Sequence, residues 1–123
     1  MPQTQLRDEE SQLDVSLFQL IDAFKRIVDQ RLPGVQLKFE RNKWSVKERT
    51  EHIMGSLKQK GALFFHELFS EDRTISELVV TFLAVLELIH LGLIKVFQPT
   101  LDSGIRLIPS FEENGGNGDG KAA

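Results

Sequence analysis

The clearest pattern in the chain is a long apolar stretch over residues 74–97, which predicts a helix followed by a strand. Thr74 and Glu77 have the spacing of a capping box at a helix start. Gly92 stands where a left-handed residue ends a helix. Few polar residues interrupt the predicted helix: Ser76, Glu77, Thr81, Glu87 and His90. A helix this apolar needs a cover on more than one side.

We predict two apolar faces for this long helix at about 100° per residue. The face expected to pack inside the domain comprises Ile75, Leu78, Val79, Phe82, Val85, Leu86 and Ile89. The opposite face comprises Val80, Ala84, Leu88 and Leu91, with Leu83 on its flank. Because a short chain has little room for a central helix, this second face is expected to be covered by another helix of the chain or by a partner.

An amphipathic helix is predicted near the start of the chain, capped by Asp14 and running to about residue 32. Pro33 and Gly34 end it. Residues 35–40 then alternate apolar and polar side chains, which fits either a half-buried strand or an extended linker. This helix is the candidate cover, within the chain, for the second face of the long helix.

The middle of the chain carries a second capping-box pattern, at Ser45 and Glu48, which predicts a helix to about residue 60. Gly61 ends this helix. Residues 62–65 are typical of a short strand, and residues 66–69 of a single helical turn. The expected core positions of the helix are Val46, Ile53, Leu57 and the stem of Arg49.

The order of these elements is that of a winged helix. After the long helix, residues 93–98 and 105–108 are predicted to form a β-hairpin, the wing. We therefore predict a mainly α fold with a small β-hairpin: a winged helix over residues 45–109, preceded by an extra N-terminal helix and linker over residues 14–44. The expected core comprises Ile53, Leu57, Leu68, Phe69, Leu78, Phe82, Leu86 and Ile89.

Composition agrees with one globular domain, since 41% of the 123 residues are apolar and 27% are charged. The polar residues 1–13 and the glycine-rich residues 110–123 are expected to be flexible ends. The absence of cysteine excludes disulfides and cysteine metal sites, and with the polar start it favours an intracellular location. Apolar runs are too short and too interrupted to span a bilayer, so we expect no membrane partner.

The distribution of charge argues against DNA reading by the long helix. Residues 61–108 carry three positive and six negative side chains, and the predicted long helix has no Lys or Arg. Because phosphate neutralisation needs several cations in one footprint, we expect no specific DNA reading. Residues 35–60 carry seven positive and three negative side chains, which fits a solvated face, a surface for an acidic protein or a weak phosphate patch. The alternative function is a winged-helix DNA-binding regulator that uses this basic cluster: Lys38, Arg41, Lys43, Lys47, Arg49, Lys58 and Lys60.

The sequence offers no catalytic arrangement. His52, His66 and His90 show no pairing at i, i+3 or i+4, so the helical spacing of metal ligands is absent. The phosphate-binding loop GxxxxGK[ST] and the nucleophile elbow GxSxG are both missing. We therefore expect no enzyme activity, catalytic residue, metal, cofactor or small-molecule substrate.

Three segments resemble the C-terminal domain of the ScpA family, the bacterial kleisins called segregation and condensation protein A. They are residues 45–49 (SVKER), 65–69 (FHELF) and 79–96 (VVTFLAVLELIHLGLIKV). The residues that lead into this domain are similar as well, so the likeness covers about residues 13–107: Leu13, Asp14, Val15, Phe18, Leu20, Ala23 and Phe24. The loop Leu101-Asp102-Ser103-Gly104 departs from the family's aromatic-Gly-Asp run. The family's N-terminal domain, which grips the SMC neck, has no counterpart, so we expect a C-terminal fragment.

The resemblance implies an adaptor, with ATP hydrolysis left to SMC. In the family this winged helix binds the SMC ATPase head, the other end binds the second SMC subunit, and the middle binds ScpB, here expected through the N-terminal segment. It also implies a cytoplasmic, nucleoid-associated protein of chromosome condensation and segregation. The residues expected to bind the SMC head are Val80, Leu83, Ala84, Glu87, Leu88, Leu91, Val96, Phe97, Ile105 and Leu107.

Two further expectations concern how a partner is held. Residues 93–97 or residues 105–108 are expected to offer a free strand edge to a partner's sheet. A homodimer that buries the apolar face of the long helix against itself is the third hypothesis for this chain.

Overall fold

A computed structural model describes residues 15–31, 44–100 and 102–110. The predicted fold class is confirmed: the chain is mainly helical with a small antiparallel sheet, arranged as in a winged helix. The predicted strand or linker over residues 35–40, Glu40 included, lies outside the described residues. In chain order the elements are α1 (Leu17–Arg31), α2 (Val46–Lys60), β1 (Leu63–Phe64), a 3₁₀-helix (Phe65–Phe69), α3 (Ile75–His90), β2 (Ile94–Phe97) and β3 (Arg106–Pro109).

The boundaries of α2 follow its capping residues as predicted. The Ser45 side chain accepts from the Glu48 backbone N–H at 3.1 Å, and the Glu48 carboxylate accepts from the Ser45 N–H at 3.0 Å. These reciprocal bonds satisfy two of the free N–H groups at the helix start. Gly61 ends the helix at φ 84°, in the left-handed region that favours glycine.

The boundaries of α3 are also set by local chemistry. The Thr74 hydroxyl accepts from the Glu77 N–H at 3.0 Å. At the other end Gly92 has φ 74°, and its N–H donates to the Ile89 carbonyl at 3.0 Å. The next N–H, of Leu93, donates to the Leu88 carbonyl, which completes a Schellman motif.

The start of α1 differs from the prediction. Asp14 lies outside the described residues, and Ser16 acts at the helix start instead. The Ser16 hydroxyl accepts from the Gln19 N–H, and the Gln19 side chain accepts from the Ser16 N–H at 2.9 Å. Gln19 thus takes the role that Glu48 has in α2, and α1 begins at Leu17.

The sheet has three strands in the order β1-β3-β2, so the predicted hairpin is only part of it. In register, Leu107 of β3 faces Leu63 on one side and Val96 on the other. Because β3 is paired on both sides, the expectation that residues 105–108 offer a free edge is wrong. Among the described residues, the edge strands of the sheet are β1, which has two residues, and β2, which has four.

Helix α1 packs against α3 in an antiparallel direction. The rings of Phe24 and Phe82 stack with centroids 4.4 Å apart, and Leu20 is buried. At the end of α1, Arg31 Nη1 donates to the Phe69 carbonyl at 2.7 Å, and Nη2 donates to the Asp72 carbonyl. The N-terminal helix therefore packs on the Phe82 side of α3 and not on the second face, for which it was one of two candidate covers.

Candidate partner-binding surface

The buried side chains of α3 lie on an arc centred on Thr81. This arc is rotated by about 100°, one residue step, from the predicted inner face. Its buried members are Leu78, Val80, Thr81, Ala84, Val85 and Leu88. The prediction that Val80, Ala84 and Leu88 form an outer face is therefore wrong. Val79, which was expected inside, is exposed together with Leu83 one turn later, and these two residues form the outer stripe of α3.

A buried hydrogen-bond network explains why the arc is centred on a polar residue. The Thr81 hydroxyl donates to Asp72 Oδ2 at 2.6 Å and accepts from Arg49 Nε at 3.0 Å. All three side chains are buried. Because each polar group finds a partner, the network is compatible with the core. Hydropathy alone assigns Thr81 to the surface, which is why periodicity selects the neighbouring face.

Arg49 connects several elements through its guanidinium. The whole side chain is buried, whereas only its aliphatic stem was expected to be. The residue is only 3% exposed. Its Nη2 donates to the Leu68 carbonyl at 2.5 Å, and its Nη1 donates to His52 Nδ1 at 2.8 Å. His52 must be the acceptor because a guanidinium only donates. The Trp44 ring lies 5.4 Å from the guanidinium carbon, which adds a cation–π contact.

The carboxyl group of Asp72 is the titratable member of this network. Burial raises the pKa of Asp72 above its ordinary 3.8, and repulsion from Glu77 adds to the rise. The hydrogen bond from Thr81 and the charges of Arg49 and Arg31 lower the pKa but do not cancel the effect of burial. The folded chain therefore holds this proton more tightly than the unfolded chain does.

We expect this group to make the folded chain less stable as pH rises from 3.8 through the folded pKa of Asp72. The sign follows because the folded state binds more protons than the unfolded state in that window. Urea unfolding of the wild type and of Asp72→Asn across this pH range measures the effect. The variant keeps an oxygen acceptor for Thr81 but does not titrate. The stability of the wild type relative to the variant should fall with pH, and a constant difference would contradict the assignment.

The residues expected to bind a partner fall into three groups. Leu83, Glu87 and Leu91 are exposed on or just after α3. Val96, Phe97 and Ile105 are half-buried on and beside the sheet. The remaining four are buried and so face away from any partner of the folded chain: Val80, Ala84, Leu88 and Leu107.

The residues expected in the core lie in the packed interior or against it. Phe82, Leu86 and Ile89 are half-buried and pack onto the core. The other five are buried: Ile53, Leu57, Leu68, Phe69 and Leu78. Sequence reasoning missed the buried roles of Asp72 and Thr81, although the apolar spacing of α2 did indicate an inward position for Arg49.

The basic cluster is weaker than its sequence suggests. The charge of Arg49 is buried in the network, so it is not available to a nucleic acid. Lys47, Lys58 and Lys60 are exposed on α2, together with the acidic Glu48 and Glu51. The other members, Lys38, Arg41 and Lys43, lie outside the described residues. Nothing in this geometry favours the DNA-binding alternative.

A cleft of about 430 Å³ lies between α2 and the 3₁₀-helix, with Arg49 and Glu67 among its lining residues. Both charged groups are engaged inside the chain, since the Glu67 carboxylate accepts from the Phe64 N–H at 2.9 Å. Within residues 15–31, 44–100 and 102–110, no three His, Asp or Glu side chains are grouped to hold a metal. None of the helices in these ranges has the length and hydropathy needed to cross a membrane.

Comparison with known proteins gives a consistent set of relatives. The family model described as segregation and condensation protein ScpA matches residues 3–108. A segregation and condensation protein A of Myxococcus xanthus is 31% identical over 79% of this chain and 34% of its own length. The protein of that name from Listeria monocytogenes is 37% identical over 72% of this chain and 36% of its own length. The one from Brevibacillus brevis is 32% identical over 85% and 40%.

The chain spans between about a third and two fifths of the length of these relatives. No solved structure matches it significantly. The family model covers far more than half of the chain, and the matched region contains every helix and strand described above except the last residue of β3. The chain belongs to the segregation and condensation protein A (ScpA) family.

Proposed function

We propose that this chain is a non-catalytic adaptor that binds the ATPase head of an SMC protein and so acts in chromosome condensation and segregation. The observation that carries the proposal is the outer stripe of α3. Val79 and Leu83 are exposed, and α3 contains no Lys or Arg. A helix with this surface is suited to an apolar protein partner and unsuited to a phosphate backbone. As part of such a complex, the chain acts in the cytoplasm, at the nucleoid.

The energy available from the outer stripe supports a modest but specific contact. Burying one Leu-sized side chain is worth roughly 1.5–3 kcal/mol. Leu83 is 44% exposed, so only part of that value remains to be gained on binding. Much of the gain is offset by the loss of translational and rotational freedom. A second contact is therefore needed, and we infer that it comes from main-chain pairing at β2, an edge strand among the described residues.

A second partner, ScpB, is proposed for the N-terminal segment. Helix α1 has an apolar corner at its first turns, where Leu17, Phe18 and Ile21 are exposed. Phe18 is 77% exposed, the largest fraction among the exposed large apolar side chains of the described residues. Exposed apolar groups that are contiguous on a helix are typical of protein contacts. This corner is distinct from Leu20 and Phe24, which face the core.

The two contacts are tested by one reciprocal binding experiment. Leu83→Arg is expected to abolish co-purification with an SMC head domain, because it places a charge in the apolar contact, while ScpB binding is retained. Phe18→Arg adds the same charge on α1 and is expected to weaken ScpB binding and spare the SMC head. Gln59→Arg, on the exposed side of α2, is the matched control for added charge.

Circular dichroism must show that each of these variants is folded. Native binding of the SMC head by folded Leu83→Arg would rule out the outer stripe as the contact. Failure of the wild-type chain to bind the head would rule out the proposed function itself.

A further inference from the structure

The outer face of the sheet carries a row of three side chains in direct register. Arg106 of β3 is paired with Phe64 of β1 on one side and with Phe97 of β2 on the other. Cross-strand partners project from the same face of a sheet. The adjacent row of the sheet contains the buried Leu107 and points into the core. Because side chains alternate between the two faces of a sheet, the Arg106 row faces away from the core.

Arg106 is held against its neighbours but is incompletely satisfied. Its guanidinium carbon lies 5.3 Å from the Phe64 ring centroid, which fixes the side chain along the sheet. Within the described parts of the chain, Arg106 Nε is the one buried side-chain nitrogen or oxygen without a hydrogen-bond partner. An unmet buried donor is unfavourable in the free chain. Because Nε is buried, an acceptor from outside reaches the guanidinium through its two Nη groups, which are not among the buried unpartnered atoms of the described residues.

The aromatic support of Arg106 is already in place. The Phe64 ring stacks on His66 with centroids 5.6 Å apart. Gly104 lies close above it, because a Cβ at that position would be 3.3 Å from the ring. Phe64 is thus confined on two sides. An arginine held in this way loses little freedom when it pairs with a ligand.

The charge on this face points to an acidic group. Residues 61–108 contain three cationic side chains, Arg73, Lys95 and Arg106. Two of them project from the outer face of the sheet, since Lys95 lies two residues before Phe97 on β2. Helix α3 instead carries Glu77 and Glu87 and no Lys or Arg, so the outer face of the sheet is positive where α3 is negative.

We propose that Arg106 is a specificity-determining residue that binds a carboxylate side chain of the SMC head beside the edge strand β2. This inference rests on the proposed function. The planar guanidinium presents its two Nη groups side by side, which matches the two oxygens of a carboxylate. The Phe64 ring beside the guanidinium shields the pair from water and strengthens it. Lysine lacks this fork, so it does not replace arginine here.

The test measures the dissociation constant for an SMC head domain by calorimetry at low and high salt. Arg106→Gln is expected to weaken binding about tenfold or more and to flatten its salt dependence, because a charge-assisted pair is lost. Arg106→Lys keeps the charge and stem and is expected to recover only part of the affinity. Lys47→Gln removes the same charge from an exposed site on α2 and should bind as the wild type does.

The outcomes separate this inference from the function on which it rests. Wild-type affinity for both Arg106 variants, with the wild type binding the head, would overturn the role of Arg106 alone. If Arg106→Lys binds with wild-type affinity and Arg106→Gln does not, charge alone explains the contact. That result would also overturn the proposed bidentate pair. Absence of binding by the wild type, or binding of duplex DNA that depends on Arg106, would overturn both proposals. If Arg106→Gln fails to fold, Arg106→Lys alone decides the question.

Discussion

Replacing Arg49 with methionine is expected to destabilise the folded chain by about 2–4 kcal/mol, because each buried acceptor left without its donor costs about 1–3 kcal/mol. Methionine fills a similar volume but cannot donate to the Thr81 hydroxyl, and it removes a charge that favours the ionised form of Asp72. The Leu68 carbonyl and the His52 ring also lose their donor. The predicted loss is a large fraction of the stability of a small domain.

Urea unfolding at neutral pH measures this loss. Lys47→Met makes the same substitution at an exposed position of α2 and should change stability by no more than about 0.5 kcal/mol. Adding Asp72→Asn to Arg49→Met is expected to recover part of the loss, because the buried carboxylate, whose ionised form Arg49 favours, is then absent. A loss below about 1 kcal/mol for Arg49→Met would show that the network contributes little.

Leu88→Ala is expected to cost about 2–5 kcal/mol, whereas Leu83→Ala should cost much less. The two residues lie on the same helix and undergo the same change. Leu88 is 1% exposed and its removal leaves a cavity between packed elements, while Leu83 lies on the outer stripe. Comparing the free energies of unfolding of the two variants in urea therefore shows which side of α3 faces the core. Equal losses, or a greater loss for Leu83→Ala, would contradict the burial described here.

The elements of this fold follow from short-range chemistry, which is why the sequence indicated them well. Ser45 with Glu48 and Thr74 at the helix starts, and Gly61 and Gly92 at the helix ends, act within about one helical turn. Such signals do not depend on the rest of the fold. The start of α1 was misplaced because Ser16 and Gln19 compete with Asp14 for the same role, and the Ser-x-x-Gln spacing was overlooked.

The hydropathy pattern could not predict which face of α3 is buried. A helix that is apolar almost all round gives nearly equal weight to several faces. The choice between them was made by Thr81, whose hydroxyl enters the core because Arg49 and Asp72 meet it there. Those partners are 32 and 9 residues away in sequence, so no local pattern reports the contact.

The order of the strands in the sheet could not be predicted from the sequence, because it also depends on a contact between distant residues. Strand β1 has only two residues and pairs with β3 across more than forty positions, as in Leu63 with Leu107. So short a strand has no alternation to reveal its partner. Its pairing removes β3 from the edge and leaves β2 there, which decides which part of the candidate partner-binding surface is open.

The attachment of α1 has a mechanical consequence for the winged helix. The Phe24–Phe82 stack and the Arg31 hydrogen bonds lie at different points along an antiparallel pair of helices. Tension applied along α1 from the chain ahead of it therefore loads these contacts in parallel, as shear. A pull directed away from the surface would instead break them one after another, as in peeling. The winged helix thus resists load along one axis more strongly than across it.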